Sequence, residues 1–119
     1  MAIREAVLLE GQRDWVDAAW VYSLAIDDAG KDPTAMRHIC VGLIAELLSD
    51  ELMEAGDYVD RAFRPWDLST GEAIIRVARE WLRLSPEGKP EMYSIVWLRN
   101  TERGDAIAKS YLEATAFKR

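Results

Sequence analysis

Cysteine and histidine occur once each, as Cys40 and His38. One cysteine closes no internal disulfide, so a reducing, cytoplasmic setting is expected. His38 and Cys40 stand two residues apart in a helical pattern and therefore point in different directions. A structural zinc site needs several nitrogen or sulfur ligands, so neither a metal nor any other cofactor is expected. Cys40 also falls on an apolar stripe, where a thiol is ordinarily inert. No apolar run approaches the ~18 residues of a membrane span. The N-terminus does not join a basic start to a long apolar stretch, so no signal peptide is expected. There is no glycine-rich phosphate loop, and no serine lies in a strand–Gly-x-Ser-x-Gly–helix context. Excess positive charge is absent too: 15 Lys and Arg face 21 Asp and Glu, a net charge of −6. That balance disfavours a nonspecific nucleic-acid binder, whose affinity comes from neutralising phosphates.

What is present is an ordinary globular composition. Of 119 residues, 50% are hydrophobic and 30% charged, enough for one domain with its own core. Helical periodicity predominates between turn signals at Gly30–Pro33, Gly56-Asp57, Arg64–Trp66 and Ser85–Pro90. A first helical region is expected from Ile3 to Ala29, interrupted near Gly11. Asp14 would cap its main part, Trp15, Ala18, Ala19, Tyr22 and Ile26 would form its apolar stripe, and Gly30 would stop it. Asp32 and Pro33 then read as N-cap and first helical residue. Met36, Ile39, Cys40, Leu43, Ile44, Leu47 and Leu48 follow at helical spacing and should centre the core. Ser69-Thr70-Gly71-Glu72 reads as a capping box. It opens a helix to Leu84 with Ile74, Val77, Ala78, Trp81 and Leu82 on one side. Tyr93–Leu98 is β-branched and aromatic and reads as a strand. Thr101 caps a last helix from Glu102 to Ala114 that should bury Ile107, Ala108, Tyr111 and Leu112. A lone strand needs a partner for its backbone groups. The stretch Leu52–Val59 is the expected one, giving a mostly α fold with a two-stranded antiparallel ribbon and a helix inserted between the strands.

Two segments resemble winged-helix proteins of the MarR-like and PadR-like kind. Residues 43–56, LIAELLSDELMEAG, look like the helix and turn that lead into the wing. Residues 97–108, WLRNTERGDAIA, look like the second wing strand and the Thr-x-x-Gly start of the next helix. The resemblance spans about a quarter of the chain and implies a single winged-helix-like domain, 1–119, of bacterial type. It also implies a dimeric DNA-binding regulator, the homodimer formed through the terminal helices. Here the chain departs from the pattern. Between Glu46 and Asp60 stand six acids and no Lys or Arg, and an amphipathic helix replaces the short basic loop of the wing.

The expectation is therefore a non-enzymatic protein-binding module, with an immunity or antitoxin protein that covers a basic partner as its specific form. The expected contact residues are Glu46, Asp50, Glu51, Glu54, Asp57, Asp60 and Trp66. Trp66 follows Pro65 in a loop and either stands exposed or staples that loop to the core. The alternative is the winged-helix regulator, which requires Arg37, Arg61, Arg64, Arg76, Arg79, Arg83 and Arg99 to converge on nucleic acid. On the helix that follows the capping box, Glu72 and Glu80 lie one turn from these arginines and make ordinary intrahelical pairs. Adjacent carboxylates such as Asp27-Asp28 and Asp50-Glu51 diverge by about 100° on a helix, so no acid–base dyad is indicated. Five tryptophans, Trp15, Trp20, Trp66, Trp81 and Trp97, are the oddity of the composition; this residue is enriched at binding hot spots.

Overall fold

The structure, a computed structural model, describes residues 2–29, 32–84 and 89–117. Within them run α1 (Ile3–Arg13), β1 (Val16–Asp17), α2 (Ala18–Ala29), α3 (Pro33–Ser49), β2 (Met53–Val59), β3 (Ala62–Pro65), α4 (Thr70–Leu82), β4 (Trp97–Asn100) and α5 (Glu102–Phe117). The fold is mostly helical, as expected. The sheet, however, has four strands in the order β1-β4-β2-β3, all antiparallel. The expected pairing of the 52–59 stretch with the later strand is present, from Met53↔Asn100 to Gly56↔Trp97. The expected strand Tyr93–Leu98 is displaced to Trp97–Asn100. Tyr93 and Ile95 have positive φ, 68° and 66°, which no regular strand accommodates.

The N-terminal third is also divided differently. Gly11 does not interrupt α1. It leaves room for Asn100, whose Oδ1 would stand 2.2 Å from a Cβ placed there. The break comes at Asp14–Asp17, and Asp17, not Asp14, caps α2, accepting the Trp20 N–H at 3.0 Å. Restarting the helix at Ala18 rotates its buried stripe to Ala18, Val21 and Ala25, and leaves Ile26 exposed. The expected stop at Gly30, the turn residues Ser85–Gly88 and the Asp27-Asp28 side chains lie outside the described residues.

Local signals elsewhere act as read. Asp32 accepts the Thr34 N–H at 3.2 Å, with Pro33 in the first turn of α3. The reciprocal capping box forms at α4: Ser69 Oγ accepts from the Glu72 N–H at 3.2 Å, and Glu72 Oε1 from the Ser69 N–H at 3.0 Å. Met36, Cys40, Ile44, Leu47 and Leu48 of α3 are buried, with Ile39 and Leu43 packed at the edge. Each fully buried aliphatic side chain contributes about 1.5–3 kcal/mol. α3 lies between α2 and α4, and α1 packs on α5. Ala73, Val77 and Trp81 are the buried face of α4, whereas Leu82 and, on α5, Leu112 are exposed, contrary to the expected stripes.

The two segments that carry the winged-helix resemblance meet at the α3–β2 turn. Thr101 Oγ1 donates to the Glu51 carbonyl at 2.6 Å and accepts the Gly104 N–H at 3.1 Å. A Cβ at Gly104 would fall 2.0 Å from the Leu52 carbonyl oxygen. The Thr-x-x-Gly spacing thus caps α5 and lets its first turn lie directly on the end of α3.

Candidate functional site

The strand register sorts the sheet into two faces, because successive side chains alternate. Val16, Met53, Ala55, Leu98 and Asn100 point into the core and are buried. The opposite face carries Glu54, Tyr58, Phe63, Trp97 and Arg99, with Tyr58 directly across from Phe63 and Glu54 across from Arg99. Gly56 lies between them. A Cβ there would come within 2.5 Å of the Arg64 carbonyl oxygen and 2.7 Å of Phe63 Cζ, so the missing side chain leaves room for the neighbouring strand and the Phe63 ring.

On this outer face the aromatic rings form one connected layer. Trp15 meets Tyr58 edge-on at 5.7 Å between centroids and Phe63 at 5.8 Å. Tyr58 meets Trp97 at 5.7 Å, and Trp97 stacks on Tyr93 at 5.4 Å with planes 17° apart. Arg99 closes one side: its guanidinium sits 4.4 Å from the Phe63 centroid and is ion-paired with Glu54. Phe63 is thereby buried. Tyr58 is 49% exposed, Tyr93 66% and Met92 68%. The layer is thus open to solvent at Tyr58 and Tyr93, with Trp15 and Trp97 part-buried beneath them.

Two recesses open on it. One, of about 930 Å³, is lined by Asp14, Trp15, Tyr58, Arg61, Tyr93 and Trp97, together with Asp57, Val59, Ile95 and Val96. The second, of about 360 Å³, adds Glu10, Trp20 and Met92. Asp14, Trp15, Tyr93 and Trp97 line both.

The acidic stretch does not form the expected continuous patch. Arg4 of α1 is ion-paired with Glu46 and lies 3.3 Å from Asp50. Glu54 is held by Arg99, and Asp57 lies 3.9 Å from Arg76. Glu51 and Asp60 occupy tight turns with φ of 58° and 51°, at different ends of β2. Trp66 is half-buried and packs against the core, with the Arg76 guanidinium 3.9 Å from its ring centroid. It is a staple, and its buried indole N–H finds no acceptor among the described residues.

The arginines do not converge either. Arg76 and Arg79 of α4 and Arg83 at its C-cap line one shallow recess with Leu68, Glu72, Ile75 and Glu80, and Arg83 pairs with Glu80 at 3.5 Å. Arg64 is on the edge strand β3, Arg61 in the β2–β3 turn, Arg99 on the aromatic face and Arg37 on α3. Arg37 has its Nε buried without a hydrogen-bond partner among the described residues.

Burial pushes the Cys40 thiol up to about 12, which leaves it protonated at neutral pH. Among the described residues no group of three His, Cys, Asp or Glu is placed to hold a metal ion. No helix among them is long and apolar enough to cross a membrane.

The aromatic layer was not anticipated. Its trace in the sequence is the two-residue spacing of Glu54, Gly56 and Tyr58, with Trp97 and Arg99 on the partner strand. No family model matches the chain, nor does any curated protein or solved structure.

Proposed function

We propose that the chain is a non-enzymatic protein-binding module whose partner docks on the outer, aromatic face of the sheet. The observation that carries this reading is the connected ring layer from Trp15 to Tyr93, with Tyr58, Met92 and Tyr93 about half exposed or more. Exposed Tyr and Trp supply large, stiff contact area at little conformational cost and dominate binding hot spots. The docking surface moves accordingly from the acidic stretch, whose charges are largely neutralised by Arg4, Arg76 and Arg99, to the sheet. The net charge of −6 suits a basic partner, as in an immunity- or antitoxin-type protein, because it speeds encounter with one.

The test is capture of a partner from the source cell by three forms of the protein. Wild type, a Tyr58→Ser/Tyr93→Ser double variant and an Ile75→Ser/Leu82→Ser variant of α4 are compared. A partner retained by the α4 variant and lost by the sheet variant supports the assignment. Equal retention by both variants would place the docking surface elsewhere.

The winged-helix regulator is kept as a second reading on one observation. Residues 43–56 and 97–108 join at Thr101 and Gly104, as the resemblance implies for a helix entering a wing and a wing strand leaving into a helix. The scattered arginines weigh against its DNA-binding activity, and a dimer through the terminal helices would be part of the same reading.

A further inference from the structure

The two recesses on the aromatic face share one wall, made of Asp14, Trp15, Tyr93 and Trp97. They therefore read as one groove, running from Tyr58 and Arg61 at one end to Trp20 and Met92 at the other. Its charged lining is Glu10, Asp14, Asp57 and Arg61, apart from Asp17, whose two carboxylate oxygens are taken by the Trp20 and Tyr93 N–H groups at 3.0 and 2.7 Å. Glu10 has Arg13 at 3.9 Å and Asp57 has Arg76 at 3.9 Å. Asp14 has no cationic partner among the described residues. Its Oδ1 accepts the Trp15 N–H at 2.8 Å, and its exposed carboxylate lines the groove without an ion pair among the described residues, Arg61 being the one cation in the same lining.

The wall is held in a costly conformation. Tyr93 and Ile95 both have left-handed φ, uncommon for tyrosine and an outlier for a β-branched residue. Such strain persists where surrounding contacts over-determine it, and it clusters at ligand clamps. Here the over-determining contacts are the Asp17 carboxylate on the Tyr93 N–H and the Tyr93–Trp97 stack.

We propose that this groove receives a basic segment of a polypeptide partner, one of whose Lys or Arg side chains lies against the Trp15–Tyr93–Trp97 wall and is countered by Asp14. The inference rests on the docking face proposed above and gives it a chemistry. Indole and phenol faces carry negative potential that attracts a cation, and the nearby carboxylate reinforces them. A polyanion would meet that carboxylate and a net charge of −6, the wrong sign for phosphate. A second copy would bring Asp14 and Glu10 against a like-charged face, since a two-fold interface pairs a patch with itself.

The experiment is a titration of the full chain at low salt with a nona-arginine peptide, read by tryptophan fluorescence. Nona-glutamate and a single-stranded oligothymidylate serve as comparison ligands. Asp14→Asn and Glu113→Gln remove the same charge, one in the groove and one on the exposed surface of α5. Asparagine keeps the acceptor for the Trp15 N–H, so the fold is retained. Saturable binding of nona-arginine is expected, weakened about five-fold by Asp14→Asn, the scale of one partly desolvated cation contact. Glu113→Gln should change it less than about two-fold, as for an exposed charge. Equal loss in both variants would mean diffuse attraction and would overturn the assignment. So would absence of binding, or tighter binding of the oligothymidylate. A concentration-dependent dimer in sedimentation, abolished by Tyr58→Ser/Tyr93→Ser, would overturn it in favour of a second copy. If nona-arginine fails while partner capture still depends on Tyr58 and Tyr93, the basic chemistry falls and the face stands. If both fail, the face falls as well.

Discussion

At Gly104 a methyl group would lie 2.0 Å from the Leu52 carbonyl oxygen, whereas at Gly42, exposed in the middle of α3, it would meet nothing within 4 Å. The two glycines should answer the same substitution with opposite signs. Gly42→Ala removes backbone freedom from the unfolded chain and should stabilise by about 0.5–1 kcal/mol. Gly104→Ala forces the α5 N-terminus away from the end of α3 and should destabilise by about 1–3 kcal/mol. Urea melts of the two variants check both, with the slope unchanged if only the native state is affected. Neither difference is legible in the sequence, where both glycines sit in helical patterns. It depends on what approaches from elsewhere in the chain. The same holds for Gly11, which read as a helix break and serves instead as a seat for Asn100.

Among the elements, helix starts were the most legible. A cap is a contact between residues two or three apart, so Asp32, Ser69 with Glu72, and Thr101 could each be recognised without knowledge of the fold. The short strands were not. β1 has two residues and β3 four, too few to establish a period, and both are defined by partners far along the chain. The aromatic run before Trp97 misled because its residues form the groove wall and not a ladder. The α4 cap gives a pH-dependent prediction. Hydrogen bonds from the Ser69 backbone and side chain hold the Glu72 carboxyl below the usual glutamate range. A lowered folded-state value means that the contribution is fully present above the ordinary glutamate pKa. It is lost as pH falls through the lowered one. In an NMR pH titration Glu72 should therefore have an acid-shifted midpoint, and Ser69→Ala, which keeps the backbone donor and removes the hydroxyl, should move it part of the way back up. An unchanged midpoint in the variant would mean that the box does not set it.

For the whole molecule, the site was less legible than the fold. Charge was visible in the sequence, but its neutralisation was not. Arg4, Arg76 and Arg99 come from α1, α4 and β4 to reach acids of α3 and β2, over separations that no local pattern encodes. The aromatic layer is likewise assembled from four places in the chain. With its arginines dispersed, the protein should not bind random-sequence duplex DNA even at low salt. A fluorescence-anisotropy titration tests this, and a clear affinity falling steeply with salt would favour the regulator over the protein-binding module. The position of β4 has a consequence for how the molecule is made. This strand joins β1 to β2: residues 16–17 and 53–56 both pair with residues 97–100. During synthesis β1 has no strand of the sheet to pair with, and β2 has β3 alone, until residues 97–100 have been added. Open strand edges and exposed apolar rings favour association with other unfolded chains, so the sheet is protected only once this late, four-residue strand has docked between β1 and β2.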